Sequence, residues 1–322
     1  MIRWNQRRFS VLALVVKERS GNNHEKAMLI VNPSSGSERS KDFEEKAASK
    51  LSEFFDAVQV YHTQGEGDST SFCKQACRER YDSVFDMGGD GTVDEAINGL
   101  AEQPYIPKFG FFPLGTVNDL ARALHFSMEL LEAIEEFDPN RLVDLYVGRI
   151  NDHYFMNVVA IGVLPEAIND VESEDKTKLG KFAYDLSAVN NLISMETFQF
   201  RVSLDGAEEN IETSTILIGL TNSIGGFETI FPEANVNDGF LNFLSIKDKN
   251  LLDTIKAVPD LLKGIDSSTQ NIKYKRFKSC VIKQLDSGHT LNVNIDGDPG
   301  PELPISIQIF PQHIHTYCGN KK

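Results

Sequence analysis

Three short glycine-bearing turns constrain this chain more than any other feature. Each follows a strand-like run, the first of them continuously apolar, and precedes a helical pattern. Asn32-Pro33-Ser34-Ser35-Gly36-Ser37 follows Ala27-Met28-Leu29-Ile30-Val31; Gly88-Gly89-Asp90-Gly91-Thr92 follows the run at 81–87; Pro113-Leu114-Gly115-Thr116-Val117 follows the run at 108–112. An unbroken apolar run suits a strand buried on both faces, as in a parallel sheet. Phe43, Ala47, Leu51 and Phe54, then Val93, Ile97 and Leu100, recur at helical spacing, and Leu120 and Leu124 mark the next helix. With a further strand at 57–61 and a helix at 69–80, strand and helix alternate, which predicts a parallel α/β sheet with right-handed crossovers. In open sheets of this kind ligands bind beyond the carboxyl ends of the strands, and all three turns fall on that edge.

From about Leu142 the pattern changes to short strand-like runs, at 143–148, 154–160, 198–204, 215–221, 239–246, 279–283, 291–295 and 305–310, with helical stretches near 180–195 and 251–262. This predicts a second, mostly antiparallel β domain. The expected organisation is a leader at 1–25, an α/β domain at 26–142 and a β-rich domain at 143–310. In the leader, Arg3, Arg7 and Arg8 precede the apolar stretch 9–16, but Lys17-Glu18-Arg19 follows without a small-residue cleavage site. A short extra strand or a loosely ordered leader fits this better than a signal peptide. A membrane-surface anchor, with Trp4 at the interface, is the alternative.

The 322 residues carry 32 Lys and Arg against 47 Asp and Glu, a net charge of -15. Such a chain is a poor non-specific nucleic-acid binder, because that affinity comes from neutralising phosphates with cations. No apolar run approaches ~18 residues, which excludes a spanning helix. Cys73, Cys77, Cys280 and Cys318 show no zinc spacing and read as free thiols of a reducing compartment.

A glycine-rich turn after a buried strand lets backbone N–H groups approach a phosphate, and the following helix adds its positive end. Gly88, Gly89 and Gly91 keep side chains out of the way while Asp90 projects a carboxylate into the same place. A carboxylate beside polyphosphate needs a cation between them, which points to Mg²⁺. The plainer alternative is a tight turn. There is no GxxxxGK[ST] motif, and no GxGxxG in these turns.

Taken together, Asn32-Pro33-x-Ser35-Gly36, Gly88-Gly89-Asp90-Gly91-Thr92-x-x-Glu95 and Pro113-x-Gly115-Thr116-x-Asn118-Asp119-x-Ala121-Arg122 resemble the diacylglycerol kinase catalytic domain of bacterial soluble lipid kinases, related to sphingosine and ceramide kinases. Gly225-Gly226, Pro232-x-Ala234, Asp238-Gly239 and Asp296-Gly297-Asp298 extend the resemblance over nearly the whole chain. It implies an α/β nucleotide domain, like that of NAD kinase and diacylglycerol kinase, and a C-terminal β-sandwich, with the tail 311–322 returning to the first domain and the active site in the cleft. It implies ATP binding by Asn32, Pro33, Ser34, Ser35, Gly36, Thr63, Gly88, Gly89, Asp90, Gly91, Thr92, Val93, Asp94 and Thr116, with Gly115 in the same motif. Glu95 braces the loop, and Asn118 and Asp119 face the metal and substrate side. A structural or regulatory Mg²⁺ falls to Asn235, Asp238 and the Phe240 carbonyl, and the proton acceptor is the acid that ends the Asp-Gly-acid motif.

Two departures stand out. Asp298 stands where the family has Glu, and losing a methylene draws the carboxylate back by roughly 1.5 Å, when a misplacement of ~1 Å can cost ~10²-fold in rate. Asp298 on an adjusted loop, a larger share for Asp296, or a weak or silent relative are the readings left open. At 157–164 the acid of the family's Gly-Phe-Asp is missing. The expectation is a cytoplasmic ATP- and Mg²⁺-dependent kinase, peripheral at the inner face of the membrane, that phosphorylates a diacylglycerol-like lipid. Asp298, Asp296 and Asp90 are its candidate catalytic residues, and Arg122 and Lys108 its candidate cations. A homodimer is compatible with the family. Rivals are a kinase of a sphingoid lipid, a ceramide-like lipid or phosphatidylglycerol, a silent nucleotide or lipid sensor, and NAD kinase. Lys273-Tyr274-Lys275-Arg276-Phe277-Lys278 either faces anionic lipid or forms an exposed strand face. The seven histidines are scattered and need no special role.

Overall fold

A computed structural model describes residues 12–16, 25–35, 40–162, 197–223, 231, 234–247, 272–286 and 291–320. Gly36, Gly225, Gly226, Pro232, the expected helices near 180–195 and 251–262, and most of the leader lie outside these residues.

The first half runs β1 (Leu12–Val16), β2 (Lys26–Val31), α1 (Ser40–Leu51), β3 (Ala57–His62), α2 (Asp68–Arg78), β4 (Ser83–Gly88), α3 (Asp90–Leu100), β5 (Lys108–Pro113), α4 (Asp119–Ala123) and α5 (Leu130–Glu135). β3, β2, β4 and β5 pair in parallel, and β1 adds an antiparallel edge on β3. Residues 27–31 and 83–88 are buried throughout, as strands covered on both faces must be.

The second half runs β6 (Leu142–Ile150), β7 (His153–Phe155), β8 (Val158–Gly162), β9 (Phe198–Leu204), β10 (Ala207–Thr213), β11 (Thr215–Gly219), β12 (Leu241–Ile246), β13 (Ile272–Phe277), β14 (Ser279–Gln284), β15 (Val293–Ile295), β16 (Asp298–Pro299) and β17 (Ile305–Tyr317). Strands β13-β12-β11-β8-β15-β16 make an antiparallel sheet of six. A second apolar core, with Phe200, Phe243, Phe277, Ile161 and Ile307, fills this half. The class is as the sequence predicts: parallel α/β followed by an antiparallel sandwich.

Two differences have local causes. The single strand expected at 154–160 is cut into β7 and β8, because the Asp296 carboxylate takes the N–H groups of Met156, Asn157 and Val158 and turns the chain there. Acid-rich β10 lacks strand propensity, yet it pairs with β9 across Asp205-Gly206, both at positive φ, a hairpin-turn geometry.

β17 joins the halves. Its start pairs with β14 and its end lies parallel to β5, while β6 runs along both stretches. One continuous sheet of eleven strands therefore crosses the molecule. Tyr317 at its end stacks on Phe85 with centroids 5.3 Å apart, and its hydroxyl is 2.7 Å from Ser83 Oγ. Gly110 is needed beneath this stack: a Cβ there would lie 2.5 Å from the Phe85 ring and 2.9 Å from that of Tyr317.

Asp86 sits in the middle of β4, fully buried, and neither carboxylate oxygen has a hydrogen-bond partner. Burial first, then the nearby Glu95 charge, pushes its pKa well above the usual carboxylate range. The folded state thus keeps a proton that the unfolded chain loses above about pH 4, so this group lowers stability as pH rises through and beyond that point. Asp86→Val, which removes the buried acid at similar volume, is expected to stabilise the fold by about 1–3 kcal/mol at pH 8 and by less near pH 4, measured by urea unfolding at the two pH values.

Candidate functional site

The three turns are knitted into one surface. Asn32 leads from β2: its N–H donates to the Met87 carbonyl at 3.0 Å, its Oδ1 accepts the Ser34 N–H at 3.0 Å, and its Nδ2 donates to Thr92 Oγ1 at 3.0 Å. Thr92 folds back over Gly88, where a Cβ would stand 2.6 Å from the threonine Cβ. Gly89 and Gly115 pack backbone to backbone, so a Cβ on Gly115 would lie 2.7 Å from the Gly89 Cα. Beside them Gly91 is exposed, with open space where its side chain would be, at the start of α3. An anion can approach this helix end closely.

Asp90 and Asn118 hold the third turn. Asp90 Oδ2 accepts the Asn118 N–H and Oδ1 the Asp119 N–H, each at 2.8 Å. The Asn118 side chain closes the turn by accepting from the Gly115 N–H at 3.1 Å and donating to its carbonyl at 2.9 Å. The Asp90 pKa is pushed up to about 6, by burial first and then by the Asp119 charge, while the amides pull it down. The observed partners of Asp90 are thus backbone amides, which corrects its expected position out in the phosphate space: its main task is to hold turn three to turn two. Asp119 Oδ1 accepts the Ser223 hydroxyl at 2.6 Å.

Glu95 braces a loop that sequence reasoning missed. Its two oxygens accept the Gly67 N–H at 2.9 Å and the Ser69 N–H at 3.1 Å, fixing Gln64, Gly65, Glu66 and Gly67 at the head of α2. The signal for that loop was its pair of glycines.

Opposite these turns stands the β15–β16 hairpin. Asp296, at φ 50°, accepts amides of Met156 at 2.8 Å, Asn157 at 3.1 Å and Val158 at 2.6 Å. Its pKa is pushed up to about 8, by burial first and then by the charge of Asp94. With its oxygens taken by backbone amides, Asp296 anchors the hairpin rather than acting as the proton acceptor. Asp298, two residues on, is exposed.

Between the walls lies a cleft of about 1080 Å³. It is lined by Asn32, Ser34, Ser35, Thr63, Gly89, Gly91, Thr92, Asp94 and Glu95 on one side and by Asp298 on the other. Pro33, Gly88, Asp90, Val93, Gly115, Thr116, Asn118, Asp119 and Asp296 are not among its lining residues; Val93 faces the core. Nor are the expected cations Lys108 and Arg122, the latter donating from Nε to the Val117 carbonyl. His153, which sequence reasoning passed over, lines the cleft beside Asp94.

Asn235, Asp238 and Phe240 do not fit the Mg²⁺ site that the resemblance implies. Asp238 Oδ2 is ion-paired with Arg276 Nη2 at 2.7 Å, and Oδ1 accepts the Phe240 N–H at 2.9 Å. The Asn235 carbonyl accepts the Asp238 N–H at 3.3 Å, and the Arg276 guanidinium lies 4.4 Å from the Phe240 ring centroid. The protein's own cation holds the place of a metal. The basic cluster around Arg276 is likewise laced: Lys273 pairs with Glu209, and Lys278 lies 5.2 Å from the Phe240 ring centroid. It is a partnered strand face, not a bare basic patch.

Mg²⁺ without nucleotide is therefore expected to leave the melting temperature of the wild type unchanged. Arg276→Ala, which uncovers Asp238, is expected to lower stability by about 1–3 kcal/mol and to regain part of it as Mg²⁺ is added, read by thermal denaturation across a Mg²⁺ series.

Comparison with known proteins bears on the family and the fold. Residues 26–150 match the diacylglycerol kinase catalytic domain, and residues 157–318 match the YegS C-terminal NAD kinase beta sandwich-like domain. A diacylglycerol kinase from Staphylococcus carnosus is 33% identical over 91% of this chain and 94% of its own length. A candidate lipid kinase from Streptococcus pneumoniae serotype 4 is 36% identical over 92% of this chain and 99% of its own. The crystal structure of a diacylglycerol kinase from Bacillus anthracis superposes with a TM-score of 0.75 at 28% identity, covering 92% of this chain and 97% of that one. With its two halves matched in order and relatives at 33–36% identity over most of its length, the chain belongs to the diacylglycerol kinase catalytic domain family of lipid kinases.

Proposed function

We propose that the chain transfers the γ-phosphate of ATP to a hydroxyl of diacylglycerol or a closely related lipid, at the cytoplasmic face of the membrane. The observation that carries this reading is the cleft itself: glycine turns and a helix start on one wall, and the Asp298 carboxylate on the other. Phosphoryl transfer asks little covalent work of a protein, and most of the catalysis is positioning and charge stabilisation. The first two turns and Thr63 cradle the phosphates, and the loop at Gly67, fixed by Glu95, closes one end of the cleft. Asp298 takes the proton of the lipid hydroxyl as its oxygen bonds to phosphorus. The bond from phosphorus to the β–γ bridging oxygen breaks, and ADP leaves with that electron pair.

Asp90 and Asp119 do not line the cleft, both Asp90 oxygens accept backbone amides and Asp119 Oδ1 accepts the Ser223 hydroxyl, so these two carboxylates do not fit a nucleotide-borne Mg²⁺. Mg²⁺ beside phosphates needs only one or two protein carboxylates, and would neutralise charge on the transferring phosphate.

The test is transfer of labelled γ-phosphate from ATP to diacylglycerol, monoacylglycerol, sphingosine, ceramide and phosphatidylglycerol in mixed micelles, with NAD as soluble control. The wild type is expected to label diacylglycerol. Asp298→Ala should lose about 10²–10⁴-fold in rate, the contribution of a general base, while nucleotide affinity stays within about two-fold. Labelling of NAD alone, or equal turnover by Asp298→Ala, would sink the reading. A silent wild type with an active Asp298→Glu variant would make the chain a sensor.

A further inference from the structure

The cleft offers a polyphosphate very little positive charge. Asp94, Glu95, Glu66 and Asp298 line it, and no Lys or Arg does so among the described residues. The side chain there that can become a cation is His153, on the β7 strand. Its Nε2 lies 3.4 Å from Asp94 Oδ2 and 3.4 Å from Asn98 Nδ2. The pair is graded in depth: the Asp94 side chain is 14% exposed and the His153 side chain 46%. Asp94 Oδ1 is buried without a hydrogen-bond partner. A buried carboxylate so poorly served needs a cation beside it. With Nε2 turned to Asp94, Nδ1 is the nitrogen left for a ligand.

We propose that His153, held against Asp94, is the side chain that grips the terminal phosphate of the bound nucleotide. The inference rests on the kinase reading and adds a residue to it. Position within the cleft selects the terminal phosphate. His153 lines the cleft between Asp94, at the start of α3, and Asp298, whose charge reaches it, so it stands toward the proposed proton acceptor while the glycine turns serve the inner phosphates. The hydrogen bond to Asp94 comes first, and the charges of Asp94, Asp296 and Asp298 add to it, in favouring the protonated ring against the effect of burial. An imidazolium so held would donate to a phosphate oxygen and stabilise the charge that builds during transfer.

The test is calorimetric titration of the full chain with ATP and with ADP, in Mg²⁺, for wild type, His153→Gln and His153→Lys. The wild type is expected to prefer ATP. His153→Gln should weaken ATP about ten-fold or more and ADP by less than about two-fold, and His153→Lys should restore most of the preference. Retained ADP binding shows that the variant is folded. Unchanged ATP affinity in His153→Gln, equal loss of both nucleotides, or no recovery in His153→Lys would overturn the proposal while the kinase reading, judged by lipid labelling, stands. A wild type that binds neither nucleotide would overturn both.

Discussion

Two partly buried carboxylates carry the architecture of the cleft by accepting backbone amides. Asp90 takes two amides of the third glycine turn, and Asp296 takes three where β7 passes into β8. Hydrogen bonds to a charged acceptor are each worth about 1.5–3 kcal/mol net, enough to offset much of the cost of burying the acid. That cost still shows in the raised pKa values of both groups, to about 6 and about 8. The alternative for the amides is worse, since an orphaned buried N–H costs about 1–3 kcal/mol. Each wall of the cleft is therefore held in place by a carboxylate that accepts backbone amides.

The walls hold their spacing because the halves are not independent bodies. β17 and β6 run through both, so the α/β sheet and part of the sandwich are one hydrogen-bonded surface. The Asp298 hairpin lies in the other, six-stranded sheet, and it is tied to this frame where the Asp296 carboxylate takes the amides between β7 and β8. In phosphoryl transfer, where placement carries most of the rate, such a frame matters as much as the groups it carries.

Most of the first half was legible in the sequence. β2 is a plain apolar run, β4 and β5 are strand-like despite Asp86 and Lys108, their turns are glycine-bearing, and α3 keeps its apolar stripe, so strand, turn and helix follow largely from local chemistry. The chemistry of the site was legible only in part. That Asp90 turns onto amides 28 and 29 residues further on is a tertiary fact that a turn motif cannot carry. Arg276 reaches Asp238 across 38 residues, so a basic stretch and a metal motif cancelled each other unseen. His153 has no motif; its meaning comes from Asp94, and the two meet only when β7 packs on α3. Acid-rich β10 was hidden by its composition, although the Asp-Gly turn ahead of it was a readable hairpin signal.

The position of β17 bears on the order in which the molecule can be completed during synthesis. This strand is made after every other described strand, yet it lies between β5 and β14 near the middle of the large sheet. Until residues 305–317 leave the ribosome, β5 and β14 each present an unpaired edge, and Gly110 lies beneath an aromatic stack that lacks Tyr317. An open, apolar β5 is the kind of edge that invites pairing with a neighbouring chain. Among the described strands, β17 is therefore the one whose arrival removes this aggregation hazard by closing the large sheet.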